Sequence, residues 1–361
     1  MLQRKPNERS WKTVSLYFFC TLFIAVWWGL SFTDAPKPFL PVPPQKEKPK
    51  FNLSFSREEL LQALQGDFAL MGRLILRWDV EAQNDGFVRL ASHKVLRAHY
   101  LAETIPLSPP VESFKVLPQT YVAAGILLAI APPSTIVALP RGLRDQKGFY
   151  PPSLTQQIPL DIDQYTVEKL FLTHPDLAIV SLDYSHPSTL QALSNQGIPF
   201  HATSQCETYE DILGEIQTIG QLTGLTAEAE LLQLFMEAAF LKLDQTPTTL
   251  SKTLFLSFYD HFYLPRASNI TGALILRAGL PLPKVNSFEL KEYLLNTDPE
   301  TLIIAVPPAI NLLPILQKDP AYSQLRAVRQ GRVHIVNDDL FQTPTHFSAL
   351  AYYDLIEALR S

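Results

Sequence analysis

From about residue 113 onward, short apolar runs alternate with amphipathic helical stretches, and that alternation leaves few folds open. Residues 114–117 (FKVL) read as a strand, 121–130 as a helix, and 135–139 (TIVAL) as a second strand closed by Pro140. A helix at 166–172, with Glu168 in its first turn, precedes a strand at 177–182 (LAIVSL). Pro187 then opens a helix that runs to 196, and 198–200 is another strand. Strands that alternate with helices build a parallel sheet covered on both faces. A helix at 209–222 stops at Gly224, and a new one starts at Thr226 with Glu228 and Glu230 in its first turn, where the helix dipole favours acids. This second helix runs to 243 with apolar positions on more than one face, as suits a helix packed between two bodies. Beyond it the alternation resumes: strands at 253–258, 302–306 and 332–336, and helices at 272–278, 288–295 and 348–359. The fold class is α/β, with two lobes containing parallel sheets joined by one long hinge helix. Ligands of such sheets bind at the loops that follow the strands' carboxyl ends.

The N-terminus adds a different signal. Residues 14–32 (VSLYFFCTLFIAVWWGLSF) contain no charged side chain, and as a helix would span roughly 28 Å, about one hydrocarbon core. Arg4, Lys5, Arg9 and Lys12 precede this run, which places the N-terminus in the cytoplasm and the rest of the chain outside. A cleaved signal peptide is the alternative. Thr33-Asp34-Ala35 offers small residues, but Pro36 would follow the cut; Gly29-Leu30-Ser31 is a weaker site. Lipidation at Cys20 lacks the small residue expected before it, since Phe19 stands there. All three readings put the folded part outside the cytoplasm.

The domain organisation follows: 1–32 tail and anchor or signal segment, 33–50 a Pro/Lys-rich linker, 51–105 an N-terminal extension, 106–225 the first lobe, 226–244 the hinge helix, and 245–361 the second lobe. Within the extension, Ser56 and Glu59 form a capping-box pattern ahead of helical spacing that Gly66 interrupts, and 87–104 reads as strand-forming. A net charge of −5 with no basic block in the folded region argues against nucleic acid as a partner. Only Cys20 and Cys206 occur, so neither an intramolecular disulfide nor a thiolate metal site is expected. With 14 glycines against 30 prolines, no glycine-rich phosphate loop is present, and no nucleophile elbow or His-Glu-x-x-His occurs; the chain does not read as an enzyme.

Several stretches, in order, resemble the helical-hinge family of substrate-binding proteins for iron chelates, siderophores, haem and cobalamin that serve ABC importers. They are FKVLPQTYVAAGILLAIAPPSTIVALP, FYPP at 149–152, YTVEKLFLTHPDLAIVSLDYSHPSTLQALSNQGIPF, TIGQLTGLTAEAELL and LRAVRQGRVHIVNDDLF. The resemblance covers about residues 106–361 and implies an extracytoplasmic (periplasmic or outer-face) binding protein whose ligand itself carries iron or cobalt, with no resident cofactor or protein-held metal. Members that dock on an importer usually show a glutamate early in the first helix of each lobe. Here those neighbourhoods hold Ala123-Ala124-Gly125 and Thr271-Gly272-Ala273.

Residues just past the strand ends are the candidate ligand contacts. In the first lobe these are Tyr121, Arg141, Tyr150 and Tyr184, beside Gln119, Arg144, Asp183 and His186. In the second they are His261, Tyr263, Arg266 and Asp339, beside Asp260, Phe262, Asp338 and Phe341. Flat aromatics stack on a planar or chelate ligand, and arginines meet its carboxylates or catecholates in a fork. The resemblance singles out Tyr150, whose position touches ligand in cobalamin binders. Each candidate has an ordinary alternative: Arg141 and Arg266 as solvated loop residues, the histidines as hydrogen-bonded loop residues, and adjacent Asp338-Asp339 as structural acids pointing in different directions. The full-length chain is expected to sediment with membranes and resist alkaline carbonate extraction, whereas deletion of 1–32 makes it soluble. A shortened, freely soluble mature protein would instead mark a cleaved signal.

Overall fold

The computed structural model describes residues 54–107, 114–146, 148–162, 166–182, 185–203, 205–248 and 252–360. The apolar run at 14–32 and the linker at 33–50 lie outside them. Among the described residues no helix is long and apolar enough to cross a membrane.

The extension forms three helices: α1 (Arg57–Leu64), α2 (Phe68–Asp85) and α3 (Ser92–Thr104). The capping box is present, with the Ser56 hydroxyl accepting from the Glu59 amide and the Glu59 carboxylate accepting from the Ser56 amide. Gly66 ends α1 at a φ of +96°, where a Cβ would come within 2.6 Å of the Ala129 carbonyl oxygen. Asp67 then caps α2 by accepting from the Leu70 amide. The strand reading of 87–104 is corrected: α3 is helical, because Val95, Ala98, Leu101 and Ala102 fall on one stripe and are buried. A neighbouring helix that lies far away in sequence covers that stripe.

The first lobe comprises β1 (Val116–Pro118), α4 (Tyr121–Ile130), β2 (Leu139–Pro140), α5 (Pro152–Thr155), β3 (Asp161–Ile162), α6 (Val167–Thr173), β4 (Leu177–Val180), α7 (Pro187–Asn195), β5 (Phe200–Ala202) and α8 (Tyr209–Thr223). Strands β1, β4 and β5 form a parallel sheet in the order β1-β4-β5, and β2 pairs in parallel with β3. The strand expected at 135–139 is largely irregular: Ile136 makes a single parallel bridge to Val116, and Pro133–Thr135 is a short 3-10 turn. Successive β4 residues face opposite sides, with Leu177 and Ile179 in one core cluster and Ala178 and Val180 in another.

The hinge helix α9 (Thr226–Asp244) leads to β6 (Thr253–Phe258), β7 (Phe262–Tyr263), α10 (Ile270–Arg277), α11 (Leu290–Thr297), β8 (Thr301–Val306), α12 (Leu313–Lys318), α13 (Arg326–Arg329), β9 (Val333–Asn337), α14 (Asp338–Gln342) and α15 (Ser348–Arg360). The sheet order is β7-β6-β8-β9, parallel except for the short antiparallel β7. Every residue of β6 and β8 is buried, as a sheet with helices on both faces requires.

Helix α9 packs against α8, α2, α3 and α15. Trp78 of α2 stacks on Phe235 at 5.5 Å between ring centroids, and Phe240 stacks on Tyr352 of α15 at 5.1 Å. Lys94 and Arg97 of α3 pair with Glu237 and Glu230, and Glu81 of α2 pairs with Lys242, whose side chain is 1% exposed. From the other side, Arg57 of α1 makes a two-pronged bond to Asp354 of α15.

His346 just before α15 is wholly buried, and its Nε2 lies 2.9 Å from the Leu64 carbonyl of the extension. Burial pushes its pKa down to about 3. The folded chain therefore refuses a proton that the unfolded chain accepts below about pH 6.5, so this residue's contribution to stability falls as pH drops from 6.5 towards 3. Replacing His346 by Gln should flatten that part of the pH dependence, read as urea midpoints of variant and parent between pH 7.5 and 4. Gly66→Ala, forced against Ala129, should lower stability by about 1–3 kcal/mol in the same assay.

Candidate functional site

The loops after the strand ends of both lobes carry the candidate cleft. In the first lobe, Gln119 follows β1; its side-chain oxygen accepts from the Ser181 amide (2.7 Å) and the Ser185 hydroxyl (2.8 Å), tying the β1 and β4 loops together. Thr120 caps α4 by accepting from the Ala123 amide, which sets Tyr121 as the helix's first residue. The Tyr121 hydroxyl donates to the Arg141 carbonyl at 2.6 Å. Gly142 lies against the same hydroxyl at a φ of +86°, and a Cβ there would come within 2.9 Å. The phenol's ionisation is pushed up by burial, then by the carboxylates of Asp145 and of Asp339. Asp339 belongs to the second lobe, so a carboxylate of that lobe is among the charges that raise the Tyr121 pKa.

In the second lobe the turn from β6 to β7 presents Tyr259, Asp260 and His261. The rings of Tyr259 and Tyr263 stack at 6.1 Å with a 12° interplanar angle. Asn337 caps α14 by accepting from the Asp339 amide, so Asp338 and Asp339 form its first turn. Asp338 is fully buried, which raises its pKa, and the Gln342 amide bonds both its carboxylate (3.4 Å) and the Tyr263 hydroxyl (3.3 Å). Burial also raises the pKa of Asp339. Tyr259 is held protonated well above its ordinary value by burial, then by the neighbouring Asp338 carboxylate.

Of the residues expected from the sequence, Tyr121, Arg141, Tyr263 and Asp339 fall within this group. His261 lies at its rim, exposed and bonded through Nδ1 to Asp260 at 2.5 Å. Arg266 is exposed on the loop before α10, and its carbonyl sits where a Cβ on Gly272 would be. Tyr184 and Asp183 lie outside the described residues.

Tyr150 requires a correction. It is 2% exposed, its ring edge-on to Phe347 at 5.3 Å and its hydroxyl directed at Gly125, so it presents no open face to a ligand. The physical reason is the bare Gly125 backbone of α4, which admits the phenol into the core. Arg144 is likewise internal: it pairs with Asp161 and donates to the carbonyls of Thr155 and Ile158, pinning the loop. Phe262 and Phe341 belong to the cores, and His186 caps α7 by accepting from the Ser188 amide. Sequence reasoning missed Tyr259, which is 47% exposed. As the first residue after the strand at 253–258, it met the same positional criterion as its neighbours. Among the described residues no group of three or more His, Cys, Asp or Glu is arranged to hold a metal ion.

Residues 120–283, from the cap of α4 to just past α10, match the family model described as periplasmic binding protein. No curated protein matches the sequence. Solved structures share the fold at low identity. A possible iron-binding periplasmic solute-binding protein from Staphylococcus epidermidis is 15% identical at a TM-score of 0.56, over 68% of this chain and 98% of that one. The periplasmic heme-binding protein HutB of Vibrio cholerae is 16% identical at 0.57, over 69% and 99%. The heme-binding protein RhuT of a Roseiflexus species is 18% identical at 0.53, over 68% and 98%. Residues 120–283 are thus similar to the periplasmic binding protein family, and the chain shares its α/β fold with solved periplasmic solute-binding proteins.

Proposed function

We propose that the chain captures an iron–siderophore, haem or cobalamin-like complex between its two lobes, outside the cytoplasm, for an ABC importer. The observation that carries this reading is the placement of Tyr121, bonded to the Arg141 carbonyl, after a strand end of one lobe, and of Asp339 with the stacked Tyr259 and Tyr263 at the strand-end loops of the other. Stacked phenol rings give a flat apolar wall, phenol oxygens are hard donors suited to ferric iron, and the exposed Arg141 and Arg266 suit acidic groups at a ligand's edge. The iron or haem named for the structural relatives supports the same ligand class. A ligand that touches both lobes binds the closed arrangement more tightly than any open one, and that difference in affinity drives capture. The family's location supports a site outside the membrane, and the apolar run 14–32 is the proposed tether.

A second reading, an anchored binding module of this fold uncoupled from a permease, is favoured by one specific feature. Ala123, Ala124 and Thr271, where docking acids would be sought, are each at most 1% exposed, and the Thr271 hydroxyl is spent on the Phe341 carbonyl. These stretches present no carboxylate to a partner.

Titration of the purified full-length protein with hemin, ferrioxamine and aquocobalamin, followed by absorbance and melting temperature, tests the main reading. At least one should bind at micromolar concentrations. Tyr259→Ala should then weaken it about tenfold while shifting the melting temperature by less than about 3 °C, since the residue is half-exposed. If none of the three binds, ligand capture of this class is wrong. If one binds but a neighbouring permease in vesicles is not stimulated, the uncoupled reading stands.

A further inference from the structure

The double proline that follows α4 has a chemical consequence at the end of the helix away from the cleft. Carbonyls in a helix's last turn need donors from beyond its end. Ala131 supplies one to Leu127 at 2.8 Å, but Pro132 and Pro133 occupy the positions from which Leu128 and Ala129 would be served, and proline has no N–H. Among the described residues no hydrogen-bond donor reaches either carbonyl.

These two residues border a pocket of about 510 Å³, walled by Phe68 and Ile105 of the extension, Leu154 of the first lobe and Leu225 before the hinge helix. Among the described residues, its side-chain charges are the carboxylates of Asp67 and Glu228. Asp67 is occupied with the Leu70 amide and the Gln62 side chain. Glu228, half-buried in the first turn of α9, makes no hydrogen bond or ion pair among the described residues. Gln65, the one side-chain amide among the described lining residues, is engaged with the Phe149 carbonyl at 2.7 Å. The pocket thus combines apolar walls with acceptors that lack donors: one unpaired carboxylate and the negative, carbonyl end of a helix dipole. Tyr121, at the cleft, begins the same helix that ends here, about 15 Å away along its axis.

We propose that this pocket is a second binding site, for a small organic cation: a protonated amine carried on an apolar body. The ammonium donates to Glu228 and to the carbonyls of Leu128 and Ala129, and the hydrocarbon lies against Phe68 and Leu154. An anion of the same size meets only acceptors and is excluded. The site exists because the extension packs on the first lobe and the start of the hinge helix, so it is separate from the cleft and does not depend on what the cleft binds.

Calorimetric titration of the full-length protein with hexylammonium chloride, against hexanoate and hexanol as size-matched controls, tests the proposal. Saturable binding of the amine alone is expected. Glu228→Gln should weaken it at least tenfold, the order expected for loss of a charge-assisted hydrogen bond. Ala69→Trp, at the exposed lip, should block it sterically. Both variants should keep the parent's melting temperature within about 3 °C, because neither side chain is buried. Absence of saturable amine binding overturns the proposal, as does equal binding of hexanol or hexanoate. Amine binding that survives both substitutions lies elsewhere, at the acids of the cleft for example, and overturns it too.

Discussion

The burial of α9 over most of its circumference is the constraint on which the rest of the structure depends. Leu231, Leu232, Phe235, Met236, Ala239, Phe240 and Leu243 are all wholly buried, so the helix needs a partner on each face. The first lobe supplies α8, the second supplies α15, and the extension supplies α2 and α3. Without α2 and α3 the stripe of α9 that they cover would be left to water, which is why the extension is part of the fold and not an appendage. Lys242 makes the point sharply: a buried ammonium is costly without an opposite charge, and Glu81 of the extension provides it.

The same helix ends in a polar node that joins the two lobes. Asp244 accepts from the Arg277 guanidinium of α10 in two-pronged fashion and from the Tyr352 hydroxyl of α15. Arg277 in turn lies 4.7 Å from the centre of the Phe240 ring and 5.3 Å from that of Tyr209, which belongs to the first lobe. A charge held over aromatic faces and paired at its tip tolerates little relative displacement. Nearer the cleft, Tyr150 of the first lobe packs on Phe347 of the second beneath Gly125. These contacts tie the two lobes together at the end of the hinge helix.

The readable part of the fold was its local chemistry. Helices 121–130 and 226–243 and the strand at 253–258 emerged almost to the residue, because apolar period and capping residues are local signals. The helix at 92–104 did not: its buried stripe is short, and the hinge helix that covers it lies more than 120 residues on. At the candidate site, position after a strand end singles out Tyr121, Arg141, Tyr263 and Asp339, and the same criterion reaches Tyr259. It failed for Tyr150 and Arg144, because whether a loop side chain turns outward or inward is decided by what space lies beneath it. A glycine on a different element opened that space for Tyr150, and the Asp161 carboxylate with the carbonyls of Thr155, Ile158 and Leu160 captured Arg144.

By itself, then, the sequence determined the class of fold, the order of its elements and the strand-end positions from which a cleft is built, since periodicity and capping are written within a few residues of where they act. Only the tertiary structure decided which of those side chains face one another across the lobes, that the extension braces the hinge, and that the prolines after α4 leave acceptors beside an unpaired Glu228. Those outcomes depend on pairs of residues distant in sequence, and no local pattern encodes the distance between them.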